Sequence, residues 1–213
     1  MKIGERHIDH IVYAVPNLER ACTDLELSLG VMPSFGGYHK TKGTKNALLN
    51  LGNDCYLEIL AVDESNKTIT SPRWMGVDLV EEPRITRWAI KSQNLKSDQE
   101  LLQQYNPEMG EIFGGSRQTP SGDLLEWEMI LPLAYPEIEL APFMVNWAAN
   151  SIHPTENLDA ECLLVAIEFG HQIPDSSQGL FKKLSIDQSI KNTAEIEISI
   201  RIRTTSGDIM TLR

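Results

Sequence analysis

The chain has 213 residues, 41% of them hydrophobic and 23% charged, with a net charge of −11. At that length one large domain, or two small modules sharing a core, buries about 70% of the unfolded surface, so neither a disulfide nor a structural metal is needed for stability. The acidic balance argues against nucleic acid, which needs clustered Lys and Arg, and no apolar run approaches membrane-spanning length or forms a signal-peptide core, which predicts no membrane partner and a cytoplasmic location. Cys22, Cys55 and Cys162 are far apart, form no CxxC pair and read as buried, reduced thiols.

In chain order, His7 to Val15 reads as a buried strand that ends at Pro16. Asn17 caps a helix from Leu18 to Leu29, with Leu18, Ala21, Cys22, Leu25 and Leu29 on one face and Gly30 at its end. Val31 to His39 is a short strand with a glycine turn at Gly36-Gly37, and a polar loop follows through Lys45. Asn46 to Leu51 and Cys55 to Val62 are strands joined by a hairpin turn at Gly52-Asn53-Asp54. Asp63 to Pro83 is a proline-broken connector whose apolar Trp74-Met75-Gly76-Val77 packs over another element. The order then repeats: a strand over Ile85 to Ser92, a helix starting at Ser97 with Glu100 in capping-box spacing, a turn at Gly114-Gly115, a hairpin turn at Ser121-Gly122-Asp123, and a strand over Leu124 to Leu131. Beyond a proline-punctuated link and an apolar strand or turn at Phe143 to Trp147, a third, looser copy is expected. It comprises a strand over Cys162 to Phe169, a helix over Gly179 to Leu184, and strands over Glu195 to Arg203 and Ile209 to Leu212.

The repeat is visible in the residues. Ile8, Asn17 and Leu18 match Ile85, Asn94 and Leu95 at a constant offset of 77 positions, with the same strand–cap–helix order around them. This offset carries His10 onto Arg87.

Paired βαβββ modules with a His on the first strand and a Glu on the fourth resemble the glyoxalase-like domain family of the vicinal oxygen chelate superfamily. The resemblance rests on His7 to Leu18, Gly43 to Leu49, Tyr56-Leu57-Glu58-Ile59, Pro120 to Leu125, Pro142-Phe143 with Trp147, and His153-Pro154. It implies an α+β fold of two βαβββ modules, over 1–63 and 83–132, with a third, divergent αβ segment over 143–213 packed on the same domain. It also implies two curved sheets facing one another around a cavity that takes a small molecule. In the superfamily a divalent metal often sits there, and other members bind ligands without metal, so membership sets the fold more firmly than the chemistry.

On the first module His10 and Glu58 match the metal-ligand positions, and imidazole and carboxylate suit Zn, Mn, Fe or Ni. The second module departs from this pattern. Arg87 replaces the expected His, and a guanidinium about 5 Å from a divalent ion would be repelled by about 7 kcal/mol. Its last strand offers Glu126 or Glu128. Strand parity places Ile11, Tyr13 and Val15 beneath the helix, with Ile8, His10 and Val12 toward the cavity. It likewise turns Tyr56, Glu58 and Leu60 to the cavity and Leu57 and Ile59 to the helix.

Two readings follow. One is a metal-assisted lyase, isomerase or dioxygenase in which His10 and Glu58 hold the ion and Glu126 or Glu58 moves a proton. The other is a metal-free protein that sequesters an aromatic or anionic small molecule. In either, Arg87, His39, Asn46, Trp127 and His153 are candidates for contacting the ligand, Arg87 as an anion clamp or as the partner of Glu126. A homodimer is left open.

Overall fold

The computed structural model describes residues 1–118, 122, 124–159 and 161–213. Of the expected hairpin turn at Ser121-Gly122-Asp123, Ser121 and Asp123 lie outside the described residues, as does Pro120. The first module follows a short β1 (Lys2–Ile3) and comprises β2 (Arg6–Ala14), α1 (Leu18–Leu29), β3 (Ser34–His39), β4 (Thr44–Asn50) and β5 (Tyr56–Val62). A 3-10 turn at Trp74–Gly76 lies in the connector. The second module is β6 (Arg84–Lys91), α2 (Leu95–Tyr105), β7 (Ile112–Gln118), β8 (Leu124–Ile130) and β9 (Phe143–Trp147).

All of these strands form one sheet in the order β3-β4-β5-β2-β6-β9-β8-β7, with β1 on the side of β2. The order is symmetric about the antiparallel β2–β6 pair. In each half the first strand lies parallel to the fourth, β2 beside β5 and β6 beside β9. Both helices start on an asparagine: Asn17 accepts from the Arg20 N–H at 2.8 Å and Asn94 from the Ser97 N–H at 3.1 Å. Thus α2 begins two residues before the expected Ser97, because the Asn94 side chain takes the capping bond.

Three further expectations need correction. Residues 124–131 are the third strand of their module, not the fourth. The fourth is Phe143–Trp147, which inserts between β6 and β8 and so belongs with the second module rather than with the segment beginning at 143. Gly114-Gly115 lies within β7 and is not a turn. A Cβ on Gly115 would meet the Trp127 ring at 2.6 Å, so the glycine lets that indole lie flat on its neighbour strand. Finally, Ile8 packs on the helix side with Ile11 and not toward the cavity. The cause is a bulge: Ile8 pairs with Ile90 but His10 with Ala89, so Asp9 is an extra residue and parity inverts across it.

The third segment keeps the order strand–helix–strand–strand–strand, with β10 (Leu163–His171), α3 (Asp175–Lys183), β11 (Ile190–Asn192), β12 (Glu197–Arg203) and β13 (Ile209–Leu212). Its sheet runs β11-β10-β12-β13, a different pairing from the two modules. It covers the helix side of the large sheet, where Trp88 meets Phe169 and Phe181 at ring distances of 4.8 and 5.7 Å. The main core therefore lies behind the sheet, and a smaller cluster of Val12, Leu60, Trp74, Met129, Phe143 and Val145 lies on the concave side. Cys22, Cys55 and Cys162 are free thiols, and burial pushes that of Cys55 up to about 12. No helix among the described residues is long and apolar enough to cross a membrane.

The two caps are equivalent by this symmetry. Asn17→Ala and Asn94→Ala are each expected to lower stability by about 1 kcal/mol. Urea denaturation checks this, and an unmoved midpoint for either would remove that cap from the account.

Candidate functional site

The concave face of the sheet holds a small cavity of about 40 Å³ lined by His10, His39, Asn46, Tyr56 and Glu58, with Trp74, Trp127 and Trp147 among its aromatic walls. The chain brings them there by alternation. On β5, Tyr56 and Glu58 face the cavity while Leu57 and Ile59 pack in the main core. On β8, Trp127 and Met129 face it, and on β9, Val145 and Trp147. The connector closes one side with Trp74 and Met75.

Asp9 is the anchor. Its side chain is fully buried, and its carboxylate takes three N–H groups: His10 Nδ1 at 2.6 Å on one oxygen, Trp147 Nε1 at 2.9 Å and His153 Nε2 at 3.2 Å on the other. Burial alone would raise its pKa, but the bonds from His10 and His153 outweigh that and hold the group well below the usual carboxylate range. Because Asp9 carries no proton, Nδ1 of His10 must carry one, which turns Nε2 toward the cavity. The His10 ring is stacked on Tyr56 at 4.6 Å and edged by Phe143 at 5.2 Å, so its plane is fixed. His153 Nδ1 in turn accepts from the Thr155 hydroxyl at 2.7 Å.

Across the cavity Glu58 Oε2 lies 3.7 Å from His10 Nε2, and Oε1 lies 3.8 Å from His39 Nε2. Neither separation is a hydrogen bond. One oxygen atom of a ligand or water set to the side of either gap could lie within hydrogen-bond distance of both of its groups. Asn46 donates to Glu58 Oε1 at 2.6 Å, and Thr44 Oγ1 meets both His39 Nδ1 at 3.0 Å and Trp74 Nε1 at 3.2 Å.

A divalent ion needs several donors at about 2.0–2.2 Å. Among the described residues no group of three or more His, Cys, Asp or Glu is arranged to hold one. Among the described residues the second module supplies nothing to complete a shell. Arg87 stands in the place of His10, and since Val12 pairs with Glu58 while its counterpart Ala89 pairs with Phe143, an apolar ring stands in the place of Glu58. The donor set does not fit the metal expected of His10 and Glu58.

Two other expected site residues lie elsewhere. Arg87 is 1% exposed and does not line the cavity. Its guanidinium donates to the carbonyls of Thr86, Leu133, Pro136 and Glu137 at 2.6 to 3.0 Å. Burial lowers its pKa to about 10, which leaves it a cation at neutral pH. Glu126 is on the opposite face of β8 from Trp127, with Glu128 and Asn146. Its main chain is bonded to Ser151, and a carboxylate there can neither move a proton in the cavity nor pair with Arg87. His153 supports the site from behind, through Asp9. Sequence parity missed Asp9 because the bulge re-aims it; an acidic residue inside an apolar strand was the available signal.

This concave face, with paired βαβββ modules around one small polar cavity, defines a protein of the vicinal oxygen chelate superfamily. Within it, the chain belongs to the glyoxalase-like domain family, whose model matches residues 8–184. Among curated proteins none matches the sequence. The chain is similar to a hypothetical protein from Staphylococcus aureus, with 18% identity, coverage of 96% of this chain and 83% of the other, and a TM-score of 0.60. It is also similar to methylmalonyl-CoA epimerase from Mycobacterium tuberculosis, at 16% identity over 69% of this chain and 89% of that one, TM-score 0.42. For methylmalonyl-CoA epimerase from Streptomyces coelicolor in complex with 2-nitronate-propionyl-CoA the values are 14%, 71%, 99% and 0.43.

Two predictions follow from the buried charges. A folded pKa below the unfolded one contributes stability that is complete above the unfolded value, near 3.9 for Asp, and is lost as pH falls through the folded value. Asp9→Asn is therefore expected to lower stability at pH 7 by about 3 kcal/mol and to flatten the acid side of a plot of Tm against pH below about 4. A variant with the wild-type acid profile would contradict the role given to Asp9. Arg87→Met should cost about 3–5 kcal/mol by stranding the carbonyls it holds. Urea denaturation reads that loss, and an unchanged midpoint would contradict it.

Proposed function

We propose that this protein is a metal-independent acid–base enzyme acting on a small carbonyl compound, with Glu58 and His10 as its two proton-transfer groups. The observation that carries this reading is the facing pair: Glu58 Oε2 at 3.7 Å from the Nε2 of an imidazole whose other nitrogen is held by Asp9 at 2.6 Å. One member takes the proton from the carbon next to a carbonyl, and the electron pair moves onto the carbonyl oxygen as an enolate. The other enters the cycle already carrying a proton on its cavity-side atom and returns that proton to the enolate, which completes an isomerisation or epimerisation. Proton exchange with water resets the pair. If the enolate instead expels a β-substituent, the same first step gives lyase chemistry. Asp9 acts through His10 as a positioning residue, and Asn46 fixes the carboxylate of Glu58. Aromatic walls keep water from the carbanionic centre.

The test is proton exchange in D2O, followed by NMR, with a panel of 2-oxoaldehydes, α-hydroxyketones and branched acyl thioesters. Enzyme-dependent loss of a C–H signal is expected for at least one of them. Glu58→Gln should abolish it, His10→Asn should slow it by about 100-fold or more, and EDTA should leave it unchanged. Exchange that requires added metal would overturn the reading. A second reading, ligand binding without catalysis, is favoured by the three tryptophans of the cavity wall. Quenching of tryptophan fluorescence with no exchange from any compound would select it.

A further inference from the structure

We propose that the ligand of this site is an elongated organic anion, whose neutral reactive end enters the Glu58 cavity while its apolar body and its carboxylate or phosphate lie in the adjoining cleft. The inference rests on reading the cavity as a small-molecule site and adds the class of molecule.

The cavity of about 40 Å³ opens into a cleft of about 680 Å³ between β3 and β7, and the two share His39, Trp74, Trp127 and Met129. The inner space holds only a few atoms, and the outer one holds a larger body. The walls of the cleft differ from the rest of the surface. The chain carries −11 overall, yet Lys40 and Lys42 line the cleft and no Asp or Glu does among the described residues. Lys42 has no carboxylate partner among the described residues. Its ammonium stands 4.7 Å from the Phe113 ring centre and 5.4 Å from that of Trp74, at the junction of cavity and cleft. Lys45, by contrast, pairs with Glu19 at 2.8 Å. Phe35, Tyr38 and Leu124 line the same cleft although each is about half exposed, which is apolar surface available to a ligand.

The charges also set the orientation. A ligand anion beside the Glu58 carboxylate in a desolvated cavity would be repelled, whereas at Lys42 it replaces water on a cation held in place by two rings. The reacting end must then be neutral and separated from the anionic group by the apolar body.

The probes are 1-naphthoate, 1-naphthyl phosphate and the neutral 1-naphthalenemethanol, titrated by calorimetry against the intact protein. At least one anion should bind about tenfold more tightly than the alcohol, and more weakly as salt is raised. Whichever anion binds more tightly identifies the charged group. Lys42→Gln should reduce that affinity about tenfold and leave the alcohol unaffected, and Lys96→Gln, on the exposed face of α2, should change neither. Equal binding of the alcohol and both anions, or an unchanged affinity in Lys42→Gln, would overturn the proposal. Glu58→Gln separates it from the catalytic reading. Loss of exchange with anion binding retained leaves the proposal standing, and loss of the anion preference with exchange retained leaves the chemistry standing.

Discussion

A buried carboxylate that accepts three N–H groups organises the concave face of this protein. Among the described residues no Lys or Arg pairs with Asp9. It stays ionised because an imidazole, an indole and a second imidazole point donors at it, each from a different part of the chain. A buried charge with that many donors is tolerated, and one with fewer would protonate or pull water in. The tautomer and plane of His10 follow from it, and with them the atom that faces Glu58. The placement of Trp147, and so the end of β9 and one wall of the cavity, depends on the same group.

The internal symmetry makes the asymmetry of the site informative. Each half of the central β2–β6 pair has one extra residue: Asp9 in β2, and Thr86 in β6 between the pairings of Arg87 and Ile85. These bulges fall at equivalent positions of the repeat. In the first module the bulged residue and its successor, Asp9 and His10, build the polar cavity. In the second, Thr86 binds the carbonyl of Met75 and Arg87 binds those of 133, 136 and 137. The same backbone device thus sets Asp9 and His10 at the cavity on one side and ties down two covering segments on the other. The polar end of the cavity sits on the first module, and the second contributes mainly its aromatic wall.

Much of the fold could be read from the sequence because its signals are local. Asn17 and Asn94 mark two helix starts, and alternation along Tyr56 to Leu60 places Glu58 in the cavity. Signals that depend on pairing were not legible. Nothing local shows that Phe143–Trp147 crosses back to lie between β6 and β8, so Leu124–Leu131 was assigned the place of the fourth strand and Glu126 the role of a cavity carboxylate. An extra residue at Asp9 inverts parity without changing composition. Arg87 illustrates the same limit: its repeat position is equivalent to that of His10, but a long guanidinium reaches past the cavity to main-chain carbonyls that a histidine could not serve.

The wiring of Asp9 also bears on how the protein comes into being. The first module is complete at Val62, yet of the three donors on Asp9 only His10 has then been synthesised. Trp147 and His153 leave the ribosome some ninety residues later. Until they do, a nascent first module holds a carboxylate in an apolar strand with two of its partners missing, and closing that strand over it is unfavourable. The polar end of the cavity, although built almost wholly from the first module, is therefore fully bonded only once Trp147 and His153 are in place.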